Sequence, residues 1–262
     1  MSAFVSVTYP DSVRLLTDGA IYTEDGTLRA VRRKVWASDA LPLAITGRSN
    51  MMDAVGVLAM TILTMARVMP NRSFDGLIAG MGGEFLDAIR ERGFPRDIEA
   101  EFLLAGWSES EGPVHYYFSS FVSDDYNPGV EPFTLIKGPP SLMAGAQIET
   151  IFEDLASIGI TQASMTRSET MRERGADIME TMRRRPGPNP VAPTKPWVFG
   201  IGGQCDLTTI TQERATIETL RRWPDRVGEK IDPFEGENIQ AMSRQQRRAL
   251  ERGQRKAMRK AG

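Results

Sequence analysis

The first fifty residues constrain this chain more than any other stretch. Short β-rich runs alternate with turn signals there, and Ser2, Asp18 and Lys34 recur at equal intervals of sixteen. Residues 3–9 (Ala-Phe-Val-Ser-Val-Thr-Tyr) alternate and read as a strand. Pro10-Asp11-Ser12 supplies a turn, and residues 13–17 return as a second strand. Glu24-Asp25-Gly26 marks another turn, after which strands are predicted over 27–36 and 41–46. A chain that opens this way must begin as sheet, with neighbouring strands antiparallel.

Helical periodicity then takes over. Residues 51–69 are mostly apolar but are interrupted by Asp53 and Arg67, so the apolar run is too short to span a bilayer. At 100° per residue, Asn50, Asp53, Thr61, Thr64 and Arg67 share one side and leave a wide apolar face. That pattern predicts a helix over 50–69 packed on a sheet and buried on most sides. A second helix is expected over 73–92, stopped near Gly93 and Pro95. Residues 98–107 and 115–122 read as a hairpin around a polar turn, and 132–136 as a short strand. Helices are expected over 141–158 and 168–184, the latter ending in basic residues and a Pro-rich stop over 186–196. Strands over 197–201 and 205–211 close the series around Gly202-Gly203. The order predicts helices layered on antiparallel sheets, an α+β fold.

Composition bounds the function classes. The 262 residues can bury a sizeable core, and the net charge of −2 does not advertise nucleic-acid or membrane binding by the whole chain. The single Cys205 excludes an internal disulfide and fits a reducing compartment. With no basic segment followed by an apolar one at the start, a cytoplasmic location is expected. Residues 236–262 read as a solvated or helical tail, separate from a domain over 1–235. Within that tail, 243–262 carry eight Arg or Lys against one Glu. Subtracting this +7 from −2 leaves −9 on the first 242 residues. Such a segment fits a solvated face or attachment to nucleic acid or an acidic partner; it lacks aromatics for stacking on single strands.

The evenly spaced triplet carries chemistry. Removal of Met1 would leave Ser2 with a hydroxyl and a free α-amine, and no propeptide to cleave. A hydroxyl is a weak nucleophile until a base takes its proton, and an α-amine of pKa about 7.7–8.0 can do so. A nearby lysine would stabilise developing negative charge, and an aspartate would keep that lysine charged and oriented. As residue types alone, however, the three also fit an ordinary N-terminus and a surface ion pair.

Their contexts make them specific. Ser2-Ala3-Phe4-Val5-Ser6-Val7, Asp18-Gly19-Ala20, Arg32-Arg33-Lys34-Val35 and Ala44-Ile45-Thr46-Gly47 together resemble the proteasome family, most of all its β-type subunits and the HslV-type bacterial peptidase. The resemblance is specific over residues 2–70 and topological beyond. It implies a four-layer αββα N-terminal-nucleophile hydrolase sandwich, with Ser2 standing where the family has Thr. It further implies Ser2, Asp18 and Lys34 as catalytic residues, the Gly47 N–H as oxyanion hole, and Ser141 and Asp206 as possible accessory groups. No cofactor or metal is implied. The implied partners are a peptide or protein substrate, a homo-oligomeric ring, and an unfoldase or assembly partner. The alternative is a catalytically silent structural or assembly protein of the same fold with a partner-binding tail.

The remaining polar residues read as structural. His115, the only histidine, lies in an alternating strand beside Tyr116-Tyr117 with no second His nearby. Cys205 reads as a packed small residue, and the fourteen Met as core filler. Gly80–Gly83 and Gly200–Gly203 lack the Lys and Ser/Thr of a phosphate loop.

Overall fold

In the computed structural model the described residues are 3–235, apart from 52, 71, 93, 96, 123–129, 146–149 and 188–196. Strands β1 (Phe4–Tyr9) and β2 (Ser12–Asp18) form a hairpin whose register runs from Phe4 opposite Thr17 to Tyr9 opposite Ser12. The strand pair β3 (Ala20–Tyr22) and β4 (Leu28–Val31) forms a separate ribbon. Next come β5 (Val35–Ala37) and β6 (Leu43–Ser49), then helix α1 (Ala54–Val68). Helices α2 (Phe74–Gly80) and α3 (Leu86–Arg92) are joined by a π-turn over Met81–Phe85. Ser73 caps α2 by accepting from the Gly76 N–H at 3.0 Å.

The hairpin β7 (Ala100–Ser108) and β8 (Gly112–Ser119) follows, then the short β9 (Ile136–Lys137) and β10 (Ser141–Ala144). Helices α4 (Ile151–Ser157), α5 (Gln162–Met165) and α6 (Ser168–Arg183) precede β11 (Gln204–Ile210) and β12 (Ala215–Arg222). Two five-stranded sheets result, ordered β10-β1-β2-β11-β12 and β5-β6-β7-β8-β9, with antiparallel pairing throughout.

Strand alternation sorts the apolar side chains onto two faces of each sheet. Phe4, Val13, Leu15 and Ile210 of the first sheet pack against Val35, Ala44, Leu103 and Ala105 of the second. On the other face of the first sheet, Val5, Leu16 and Leu207 meet Met171, Ile178, Met179 and Met182 of α6. Ile45, Phe102, Leu104 and Phe118 of the second sheet meet Leu58, Ile62, Phe74 and Leu77 of α1 and α2. Burying each such large side chain contributes about 1.5–3 kcal/mol before the entropy cost of ordering it.

Five expectations are corrected. The strand expected over 132–136 is displaced to Ile136–Lys137, because Phe133 turns the chain at φ 57°. Residues 141–158 are not one helix: Ser141–Ala144 pair with the outer edge of β1, and helix begins only at Ile151. The open β1 edge needs hydrogen-bond partners, and that requirement outweighs the helical reading of an apolar run. Residues 197–201 form only one bridge, between Gly187 and Val198, whereas the unforeseen β12 completes the sheet. The strand expected over 27–36 breaks into β4 and β5 around Arg32, Arg33 and Lys34. Finally, α1 is not buried on most sides, because Val57 and Met60 are 68% and 54% exposed. The expected tail over 236–262 lies outside the described residues.

His115 ties the sheets together. Its ring is buried on β8; Nδ1 accepts from the Ser6 hydroxyl of β1 at 2.9 Å, and Nε2 donates to the Pro139 carbonyl. The neutral ring that burial favours fits this arrangement, with its proton on Nε2. Burial pulls its pKa below 6.5, partly opposed by the Pro139 carbonyl. As pH falls below 6.5 the unfolded chain takes a proton that the folded chain refuses, so stability falls until the depressed folded pKa is reached. Denaturant melts at pH 7.5 and 5.5 are expected to show a lower midpoint at the acid value, and His115→Gln is expected to reduce the difference.

Candidate active site

Asp18, at the end of β2, is fully buried. A buried carboxylate is tolerable only when it is paired and hydrogen-bonded, and here four segments supply the donors. The Ala3 N–H donates to Oδ1 at 3.0 Å and the Ala20 N–H to Oδ2 at 3.0 Å. Lys34 Nζ donates to both oxygens, at 3.1 and 2.9 Å, and the Gly202 N–H approaches Oδ2 at 3.4 Å. Lys34 is held in turn, for the Thr46 hydroxyl donates to its carbonyl at 2.7 Å. Burial lowers the Lys34 ammonium from its ordinary 10.5, with Asp18 opposing that fall by charge and hydrogen bonding.

Lys34 and Gly47 line one cleft of about 610 Å³. Its lining includes Ile21, Tyr22 and Trp36 together with Val57 and Met60 of α1. Any Cβ at Gly47 would overlap the Glu101 carbonyl oxygen, so close packing of β6 on β7 alone demands glycine there. Arg48 follows and pairs with the buried Glu101, which also accepts from the Tyr117 hydroxyl at 3.3 Å. Arg32 sits at the cleft edge, 3.9 Å from Asp53, a residue in the left-handed conformation at φ 73°.

The other sequence candidates fall elsewhere. Asp206 is fully buried, but its carboxylate accepts from Gln204 Nε2 at 2.7 Å, the Thr219 hydroxyl at 2.6 Å and Arg33 Nε at 3.4 Å. It therefore holds the residue before Lys34 rather than Lys34 itself. Ser141 is exposed on β10 opposite Val7, whereas Ala144 stands opposite Phe4. Ser141 thus lies toward the end of β1 away from Ala3 and is not brought to the Asp18–Lys34 pair. Ser2 lies outside the described residues. The Cys205 thiol is pushed up to about 12, first by burial and then by Asp206, which removes it as a nucleophile.

Sequence reasoning missed the backbone donors at Ala3, Ala20 and Gly202. Only the glycine pair of the last carried a signal, and it indicated a turn without saying what the turn touches.

No family model matches the sequence, and no curated protein matches it. Among solved structures, the chain is similar to Anbu (ancestral beta-subunit) from Yersinia bercovieri. The TM-score is 0.53 over 84% of this chain and 88% of that one, at 12% sequence identity. The fold is proteasome-related. Among the described residues no helix is long and apolar enough to cross a membrane.

The burial of Asp18 makes a sharp energetic expectation. Lys34→Met leaves a buried carboxylate without its cation and is expected to destabilise the protein by about 3–5 kcal/mol. Asp18→Asn with Lys34→Met should recover part of that loss in denaturant melts; a double variant as unstable as the sum of the single ones would show no coupling.

Proposed function

We propose that this protein is a proteasome-like amide hydrolase, a peptidase whose nucleophile is the Ser2 hydroxyl and whose base is the Ser2 α-amine. The observation that carries this reading is the anchoring of the Asp18–Lys34 pair to the Ala3 N–H, beside a cleft that Gly47 shares. That amide is the peptide bond joining Ser2 to Ala3.

In the reaction the neutral amine accepts the hydroxyl proton, directly or through a water, and the oxygen attacks the substrate carbonyl. The Lys34 ammonium stabilises negative charge developing on the attacking oxygen, and Asp18 orients Lys34. The Gly47 N–H stabilises the tetrahedral oxyanion. Collapse transfers the proton from the Ser2 ammonium to the departing amine and leaves an acyl ester, which water hydrolyses to regenerate the hydroxyl. Only a pre-positioned cation helps here, since one that had to reorganise would offset its own benefit.

The same reading takes the two facing sheets with their outer helices as a four-layer αββα sandwich, assembled as a homo-oligomeric ring acting on peptide or protein substrates. An unfoldase or assembly partner and attachment of the basic 243–262 segment to nucleic acid belong to it as further proposals, as does a cytoplasmic location. The exposed apolar wall of Val57 and Met60 favours substrates with a bulky apolar side chain on the acyl side of the scissile amide.

A second reading, a catalytically silent assembly protein of the same fold, draws support from the positions of Ser141 and Asp206, neither of which joins the Asp18–Lys34 pair.

Hydrolysis of a fluorogenic peptide library separates the two readings. Parent protein whose intact mass shows Met1 removed is expected to cleave, with Leu or Phe before the scissile bond preferred over Asp or Lys. Ser2→Ala is expected to fall to background, and Lys34→Ala to lose about 10²–10³-fold in kcat. Equal turnover by Ser2→Ala and parent would refute the nucleophile; no turnover by Met1-free parent would favour the silent reading.

A further inference from the structure

The glycine turn that reaches Asp18 is itself gripped from behind by a buried ion pair that the mechanism above does not use. Arg183, the last residue of α6, and Asp225, beyond β12, are each only 2% exposed along their side chains. Arg183 Nη1 donates to Asp225 Oδ2 at 2.8 Å and Nη2 to Oδ1 at 2.6 Å, a two-pronged pairing that fixes both planes. Nη1 also donates to the Ile201 carbonyl at 3.0 Å, and Nη2 approaches the Asp232 carbonyl at 3.3 Å. The Trp223 ring lies over the guanidinium, 5.3 Å from centroid to Cζ.

This pair faces the turn directly. Asp225 Oδ2 accepts from the Gly203 N–H at 2.6 Å, and the backbone N–H of Trp223 donates to the Gly203 carbonyl at 3.0 Å. A Cβ at Gly202 would overlap Asp225 Oδ2 and come within 2.6 Å of Arg183 Nη1. Gly203 has φ +73°, a conformation that glycine adopts without strain. On its other side the turn is bonded to the site: the Gly202 N–H reaches Asp18 Oδ2 at 3.4 Å, and the Gly202 carbonyl accepts from the Gly19 N–H at 3.0 Å. A continuous chain of hydrogen bonds thus runs from the end of α6 to the carboxylate that holds Lys34.

We propose that Arg183 and Asp225 are positioning residues for the candidate active site, holding the Gly202–Gly203 turn so that Asp18 keeps Lys34 in place. The inference rests on the hydrolase reading for its activity readout alone. A buried ion pair is often no more stabilising than an apolar pair of the same volume, so global stability does not by itself explain this one. A fork that fixes two backbone groups of one turn supplies geometry, which an apolar pair cannot.

Without the clamp the turn relaxes, Asp18 drifts from Lys34, and the desolvated ammonium loses its counter-charge. Other charged groups around Lys34 stay in place. These are Arg32 and Arg33 on its own segment, Asp206 on β11 bound to Arg33, Asp53 before α1 near Arg32, and the Arg48–Glu101 pair beyond Gly47. The alkaline limb of the pH–rate profile should therefore move to lower pH.

The test compares parent, Asp225→Asn, Asp225→Ala and Arg183→Lys at a temperature where thermal melts show each to be folded. Asp225→Asn keeps an acceptor for the Gly203 N–H and is expected to retain most activity. Asp225→Ala is expected to lose at least about tenfold in kcat with KM within about threefold, and its alkaline limb should shift down. Arg183→Lys, which keeps charge but not the fork, should fall between them. Folded Asp225→Ala with parental kcat and pH profile would overturn the proposal, as would failure of all three variants to fold, which would make the pair purely structural. Titration of the Lys34 Nζ by ¹⁵N NMR separates this from the activity reading. If the parent hydrolyses nothing, the hydrolase reading fails, yet a Lys34 pKa lower by at least about half a pH unit in Asp225→Ala still supports the clamp. An unchanged value refutes it.

Discussion

A carboxylate taken wholly out of water must be compensated from within the protein, and Asp18 is such a group. Its donors come from the residue before β1, the first residue of β3, the segment before β5 and the turn before β11. Those four segments cannot shift independently without leaving the charge partly unpaired. The β1–β2 register, the break in the strand at Arg32–Lys34 and the glycine turn are therefore coupled through one side chain. Sheet pairing of β2 with β11 brings Cys205 opposite Asp18 and carries the turn into reach.

The second sheet contributes the rest of the site through close approach. Thr46 holds the Lys34 backbone, and the next residue, Gly47, lies so close to β7 that no side chain fits. Helix α1 then packs its Leu58, Ala59 and Ile62 face onto the sheet and leaves Val57 and Met60 over the cleft. The same strand thus supports the Lys34 backbone through Thr46 and places Gly47 in the wall of the cleft.

Much of this was legible from residue order. Equal spacing of Ser2, Asp18 and Lys34, with Gly-Ala and Lys-Val flanks, pointed to residues that Asp18–Lys34 pairing now joins, although Ser2 lies outside the described residues. Strand alternation located β1, β2, β6, β7, β8 and β11 because each buries one or both faces. It failed for β12, whose outer residues are exposed and whose alternation is broken by a bulge opposite Cys205 and Asp206. It failed again at Ser141–Ala144, where an open sheet edge decided the conformation. In sequence Arg183 is one of the basic residues at a helix end; its partner stands forty-two residues away, and only tertiary structure shows the pair buried. The accessory roles for Ser141 and Asp206 rested on chain order, which does not report which strand end a side chain occupies.

The central claim is that Asp18 and Lys34 serve a hydroxyl and an amine carried by one residue, Ser2. The most direct measurement treats the protein with a peptide electrophile bearing two adjacent reactive carbons, which closes a ring only on a residue offering both groups. Peptide mapping by mass spectrometry then locates the adduct. The account expects one equivalent of ring-closed adduct on Ser2, lost in Lys34→Ala. Adduct elsewhere, or none on protein already shown to lack Met1, would contradict it.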